Sequence, residues 1–421
     1  MLFQLAKHRL VKDSLILFGV QITGYILPMV TLPYLTHVLG PENFGLLALG
    51  TALVLYFVIL VEFGFGVTGP RQVAIAQADP EQISRIYSTI MACKMTLLAA
   101  SALVLGVVVA AVPGFRKYQV LYWVSFLQVI GWGLSPTWLL QGMQKMRYVA
   151  FADYGAKIIA VALVFVLVRR KEDYVTAAAL QSGGFLIAAC IGLALVFFQL
   201  KIRLVRPTGA DMQAAMVAGW PVFLSMASLI VVTSTNTMIL GSVASKASVG
   251  YLSAASRLII AARALTNPIT TAVYPHMSKL VASSRQDALR FLRKQLVWTA
   301  TPFLCISVGM LVLSPWLVRF LYGPAFQETG VLLRIMSLTP FVHAVSMCFG
   351  TYYMLAFGYE KSWSRIIQLM MVVNFAVLAL TLQFLQPARA VALTGILMDI
   401  FTASACIRFY FRTESGMKGT S

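Results

Sequence analysis

Two arginines stand inside an apolar run of this chain, and an arginine so placed is equipped above all to hold an anion. The stretch VGYLSAASRLIIAARALTNPITTAVYP (Val249–Pro275) carries Arg257 and Arg263 and no acidic residue. As a helix its ~27 residues reach about 40 Å, against a bilayer hydrocarbon core of about 30 Å. An arginine near the centre of such a span costs roughly 2.5–3.5 kcal/mol on insertion scales, so it is expected to face protein or water. Arg263 lies near the middle of the run, where the favoured reading is an anion contact in a polar cavity. Arg257, about seven residues below the outer end on helical spacing, reads equally well as a side chain that snorkels to the interface. Asn267-Pro268 removes a backbone donor and predicts a kink just beyond Arg263.

Other charges fall in apolar surroundings. Glu62 closes one run and Arg71 follows it beyond Pro70, a spacing suited to an ion pair at a helix end and, second, to proton coupling. Asp153 and Lys157 are four residues apart, so on a helix they can pair; a self-neutralised structural pair is favoured over a gate. Asp399 lies alone in ALTGILMDIFTASA, and a lone intramembrane carboxylate is a functional candidate, protonated or paired. Arg334 is a candidate partner for it. His276 and His343 are isolated, with no ligand spacing, and receive neither a metal nor a proton-relay role. No metal site and no cofactor is expected.

The elements that must position these residues are membrane helices. Of 421 residues, 59% are hydrophobic and 11% charged, and the mean hydropathy is +0.83, the profile of a polytopic membrane protein. A net charge of +19 would also suit nucleic acid, but the positive residues lie in short loops between apolar runs rather than on one face. The five cysteines occur singly inside apolar stretches, and the sequence reads them as buried free thiols. The basic start MLFQLAKHRLVKDS has no small-residue cleavage site and reads as an uncleaved cytoplasmic beginning.

Apolar runs give twelve expected spans, at about 14–38, 45–68, 86–111, 119–140, 149–168, 174–198, 215–240, 249–277, 292–313, 328–356, 363–384 and 389–411. An even number puts both termini on one side. On that side fall 21 of the 33 Lys+Arg, Lys94 among them, with eight on the other, so the positive-inside rule places both termini in the cytoplasm. The cluster Arg169-Arg170-Lys171 runs against the rule.

The halves look related. Gly45 and Gly250 are 205 residues apart, as are Pro70 and Pro275. The expected architecture is therefore all-α, with 12 transmembrane helices in two pseudo-symmetric six-helix lobes around a central cavity. The lobes are residues 1–200 and 215–421, joined by a cytoplasmic connector at 201–214.

Several segments resemble the polysaccharide flippase (Wzx-type) family of the multidrug/oligosaccharidyl-lipid/polysaccharide exporter superfamily. They are LPYLTHVLGPENFGLLAL (Leu32–Leu49), VEFGFGVTGPRQVA (Val61–Ala74), PTWLLQGMQKM (Pro136–Met146) and Ser248–Pro275. The resemblance runs through the whole chain and also places an acidic residue at the position of Asp399. It implies transport of undecaprenyl-pyrophosphate-linked oligosaccharide, of O-antigen or a related surface polysaccharide, across the bacterial inner membrane. Membrane lipid and polysaccharide polymerase and chain-length machinery are the implied partners. Arg263, Arg257, Arg71 and Trp138 are then candidates for substrate binding. Asp399, Glu62, Asp153 and Lys157 are candidates for ion coupling or gating. Trp138, Trp132, Tyr352, Tyr353 and Trp363 suit sugar stacking, though interfacial belts explain such aromatics equally well.

Two other classes remain in view. A membrane-embedded glycan-assembly enzyme needs acids or histidines collected in a substantial loop, and the 14 acids here are scattered. A multidrug exporter of the same superfamily, built for cations, would want acids where this chain has arginines. No nucleotide-binding loop motif is present, so direct drive by ATP is excluded for this chain.

Overall fold

The computed structural model describes side chains over residues 30–145, 148 and 155–415. Among the described residues there are helices and connecting turns but no strand. The chain divides into two units, Met1–Ile230 and Val231–Ser421.

The first unit contains α1 (Leu2–Glu62), α2 (Phe65–Ile75), α3 (Pro80–Ala111), α4 (Pro113–Arg116), α5 (Gln119–Leu134), α6 (Thr137–Gly142), α7 (Met146–Leu167) and α8 (Tyr174–Ala194). It ends within α9 (Gly209–Val243). The second unit continues with α10 (Lys246–Ala264), α11 (Thr266–Ser283), α12 (Arg285–Tyr322), α13 (Gln327–Met336), α14 (Thr339–Met347), α15 (Glu360–Phe384) and α16 (Pro387–Lys418). A wider-wound stretch, Cys348–Leu355, extends α14.

Eight helical stretches among the described residues are long and apolar enough to cross a membrane. The difference from the twelve expected spans has local causes. The end of the first expected span and all of the second fall in one stretch, Val30–Ile75, interrupted at Gly40, whose φ of 69° no neighbouring residue type adopts cheaply. The expected span 119–140 is cut at Ser135-Pro136 into α5 and α6. The span 249–277 is cut at Leu265 into α10 and α11. The span 149–168 is described only over Gly155–Leu167.

Local sequence explains where helices begin. Asp79 accepts hydrogen bonds from the backbone of Glu81 and Gln82 at the start of α3, with Pro80 in the first helical position. Ser245 and Ser284 cap α10 and α12 in the same way. The connector after α8 lies along α3, where the Ser84 and Ser88 hydroxyls accept from the backbone N–H of Arg203 and Val205.

Two segments that carried the family resemblance pack on each other in the first unit. Trp138 of α6 is 2% exposed and stacks on Tyr87 of α3, with centroids 6.1 Å apart. Gly69 of α2 leaves room for that indole, since a Cβ there would lie 2.6 Å from its ring. At Gly142 a Cβ would meet Val73 Cβ at 2.7 Å and the Pro70 carbonyl oxygen at 2.9 Å. Gln77 ties the pair together by donating to the Gly142 carbonyl. Gly142→Ala is expected to force α2 and α6 apart at a cost of about 1–3 kcal/mol, read as a lower melting temperature in detergent. An unchanged melt would show that the two helices are free to separate.

In the second unit, α9 and α15 are joined by a buried amide pair. Asn236 and Asn374 exchange two hydrogen bonds, at 3.1 and 2.9 Å.

Of the five thiols, Cys93, Cys348 and Cys406 are buried, but Cys190 and Cys305 are exposed. The expectation of burial for all five fails because an apolar helix face turned to lipid has the composition of a core.

Candidate functional site

Arg263, the candidate anion contact, stands where α10 stops. Pro268 offers no N–H to the carbonyl of Ala264, and the helix ends at that residue. One residue earlier, the Thr266 hydroxyl donates to the carbonyl of Arg263 at 2.7 Å. Arg263 is thus in the last turn of α10, where a cation also suits the helix dipole. The expected kink is present.

The Arg263 guanidinium has two protein partners. Nη2 lies 2.9 Å from Nδ1 of His343 on α14. Nη1 lies 3.7 Å from Oδ2 of Asp399 on α16. The side chains of Arg263 and Asp399 are 36% and 23% exposed, so the pair is neither sealed in a core nor fully solvated. Thr339 packs beside the carboxylate, with its hydroxyl buried against it.

Asp399 therefore pairs with Arg263 rather than with Arg334, whose Nε donates to Ser314 at 3.1 Å. The sequence assigned no role to His343. Its signal was absent because the contact joins positions 80 residues apart.

Arg257 is exposed on α10 although protein crowds around it. Nearby, Tyr322 donates to the Ala254 carbonyl at 3.2 Å.

The remaining candidates are dispersed. Glu62 pairs not with Arg71 but with Lys94 of α3, at 3.0 Å. Lys94 is 1% exposed, so it leaves the set of cytoplasmic-side charges, and the bias stays large without it. The pair sits at the break between α1 and α2, where Phe63 and Gly64 both have positive φ (42° and 80°). Phe63 there stacks on Phe223 of α9 at 4.7 Å. Arg71 is exposed on α2. Trp138 is enclosed by the α2–α6 packing, with its Nε1 buried and unpartnered, and its ring face is covered by Tyr87. Lys157 places its ammonium 5.7 Å from the Phe185 ring centroid. Asp153 lies outside the described residues. Among the described residues no group of three or more metal-ligating side chains occurs.

With the geometry in view, comparison with known proteins settles the family. Polysaccharide biosynthesis proteins match residues 10–281. The chain belongs to that family. Two curated members of similar sequence are both called "Putative O-antigen transporter". The one from Shigella dysenteriae is 32% identical over 84% of this chain and 88% of its own. The one from Escherichia coli K12 is 29% identical over 86% and 87%. Among solved structures, an inward-facing multidrug resistance MATE family transporter of the MOP superfamily has a TM-score of 0.75, covering 94% of this chain and 96% of that one, at 13% identity. Lipid II flippase MurJ, in an inward closed conformation, has a TM-score of 0.71 over 95% and 87%, at 15% identity. These structures establish the fold. Family and fold together make this a multi-pass, all-helical membrane protein of polysaccharide biosynthesis.

Proposed function

We propose that this protein is a flippase carrying undecaprenyl-pyrophosphate-linked oligosaccharide repeat units across the bacterial inner membrane, for O-antigen or a related surface polysaccharide. The observation that carries the reading is the 32% identity, over most of both chains, to a relative named as an O-antigen transporter. The relatives are named for transport and not for catalysis, in line with a protein that is not an enzyme. The chemistry agrees: Arg263 ends a broken helix with its guanidinium partly exposed, and a planar guanidinium suits a pyrophosphate.

Several finer features belong to the same proposal. Transport proceeds by alternating access of two six-helix lobes, 1–200 and 215–421, with both termini in the cytoplasm. Arg257 and Arg71 add positive charge along the path. Asp399 and Glu62 couple or gate, as do Asp153 and Lys157. Polymerase and chain-length machinery receive the product. A multidrug exporter for cations is disfavoured because the carboxylate of Asp399 is already matched by Arg263.

The test is deletion of the gene in a strain that displays the glycan. Loss of surface glycan is expected, with the lipid-linked oligosaccharide accumulating in the cytoplasmic leaflet. Undiminished surface glycan without such accumulation overturns the reading.

A further inference from the structure

α12 turns one side outward over its whole length. Its buried residues, among them Ala288, Leu292, Thr299, Phe303, Ser307 and Met310, keep to one side of the helix and carry straight past Pro302. The opposite side is exposed throughout. Two tryptophans stand on it, Trp298 and Trp316. They are 18 residues apart, which is five whole turns and about 27 Å of rise. That interval matches a hydrocarbon core of about 30 Å, whose edges tryptophans favour. Val308 and Val312, between them on the same side, are exposed as well.

Charge distinguishes the two ends of this stripe. Lys294 lies one turn before Trp298, with Arg293 beside it, and both are exposed. Four and five residues put them about 6–7.5 Å beyond the tryptophan. That is inside the headgroup layer of a bilayer about 40–45 Å thick overall. Arg290, a further turn out, is matched by Asp287 at 2.9 Å. Asp287 is the one acidic residue of α12. Among the described residues no carboxylate pairs with Arg293 or Lys294. Past Trp316, at the other end, a single cation follows on this side, Arg319.

We infer that this face of α12 is a binding site for an anionic phospholipid. The phosphate sits between Arg293 and Lys294, and the acyl chains lie along the helix beyond Trp298. Charge selects the ligand: two unmatched cations suit a headgroup of net negative charge, whereas a zwitterionic headgroup brings a cation of its own to the same place. Side chains that only reach for water would show no preference between the two. The inference goes beyond the flippase reading and does not depend on it. With both termini in the cytoplasm, as proposed above, the lipid belongs to the cytoplasmic leaflet.

The experiment measures lipid binding to the purified full-length protein in detergent by native mass spectrometry. The probes are dioleoyl phosphatidylglycerol and dioleoyl phosphatidylcholine, which share their chains and differ in net charge. Wild type is expected to bind phosphatidylglycerol at least about tenfold more tightly, since each cation near an anionic surface contributes about fivefold. Arg293→Gln/Lys294→Gln should bring that affinity down to the phosphatidylcholine value. Arg116→Gln/Lys117→Gln removes the same charge from exposed positions at the end of α4 and should bind both lipids as wild type does. If the first double variant melts early without lipid, the single variants serve, each with about a fivefold loss. Equal wild-type affinities for the two lipids, or undiminished phosphatidylglycerol binding without Arg293 and Lys294, overturn the site. An equal loss in Arg116→Gln/Lys117→Gln overturns it too, because net charge alone would then suffice. Displacement of bound phosphatidylglycerol by equimolar undecaprenyl pyrophosphate overturns the phospholipid assignment and gives the face to the substrate.

Discussion

Arg263→Ala is expected to abolish surface glycan in a deletion strain while the protein still inserts into the membrane. Removing a charge from a span eases insertion, so loss of glycan at equal inserted protein would report function. The substitution also leaves the Asp399 carboxylate without its guanidinium, which is a cost to the fold in its own right. Arg263→Ala/Asp399→Asn removes that cost. It should restore any lost protein without restoring glycan. Arg263→Lys should recover part of the activity, because a single ammonium keeps the charge but cannot serve His343 and Asp399 as a planar fork does. Asp399→Asn alone should lower transport at normal protein level if the carboxylate couples or gates, and be tolerated if it only fills space. Wild-type glycan from Arg263→Ala would end the anion reading of α10. Membership of the family, which rests on other segments, would stand.

The second large effect is expected at the other buried pair. Lys94→Ala leaves Glu62 charged and largely buried beside the left-handed turn at Phe63-Gly64. Breaking one side of such a pair costs about 3–5 kcal/mol, a large share of a total stability of order 5–15 kcal/mol, so the level of folded protein should fall. Lys94→Met/Glu62→Gln should recover most of the protein, since an uncharged pair has no unpaired ion to bury. The recovered protein then answers a second question. If it exports glycan at the wild-type rate, Glu62 serves the fold. If it accumulates but exports nothing, the carboxylate takes part in transport. Normal accumulation of Lys94→Ala would refute the buried-pair account.

Apolar periodicity made the helices legible, because a span needs about twenty apolar residues wherever it stands. Proline and glycine chemistry made the break after Arg263 legible too. Pairing was not. Glu62 was matched with the nearest cation in sequence, Arg71, whereas its partner is 32 residues away on α3. Lys94 was counted as a cytoplasmic-side charge because sequence shows charge but not the direction in which a helix faces. His343 was read as isolated because its partner, Arg263, is 80 residues away in sequence. Trp138 showed the opposite failure. Its motif was clear, but a recurrent tryptophan reads the same whether it meets a sugar or, as here, fills the space that Gly69 leaves on the next helix.

The Asn236–Asn374 pair has a consequence for how the protein is made. Each amide is stranded in apolar surroundings until the other arrives, and the two are separated by 138 residues of chain. At about 5–20 residues per second, synthesis of that interval takes roughly 7–30 s. Throughout that time α9 presents an unmatched amide to lipid or to whatever else will bond with it. The last third of the chain must therefore be inserted before α9 can settle. Meanwhile any helper that shields polar groups within the bilayer has a defined client and a defined interval in which to act.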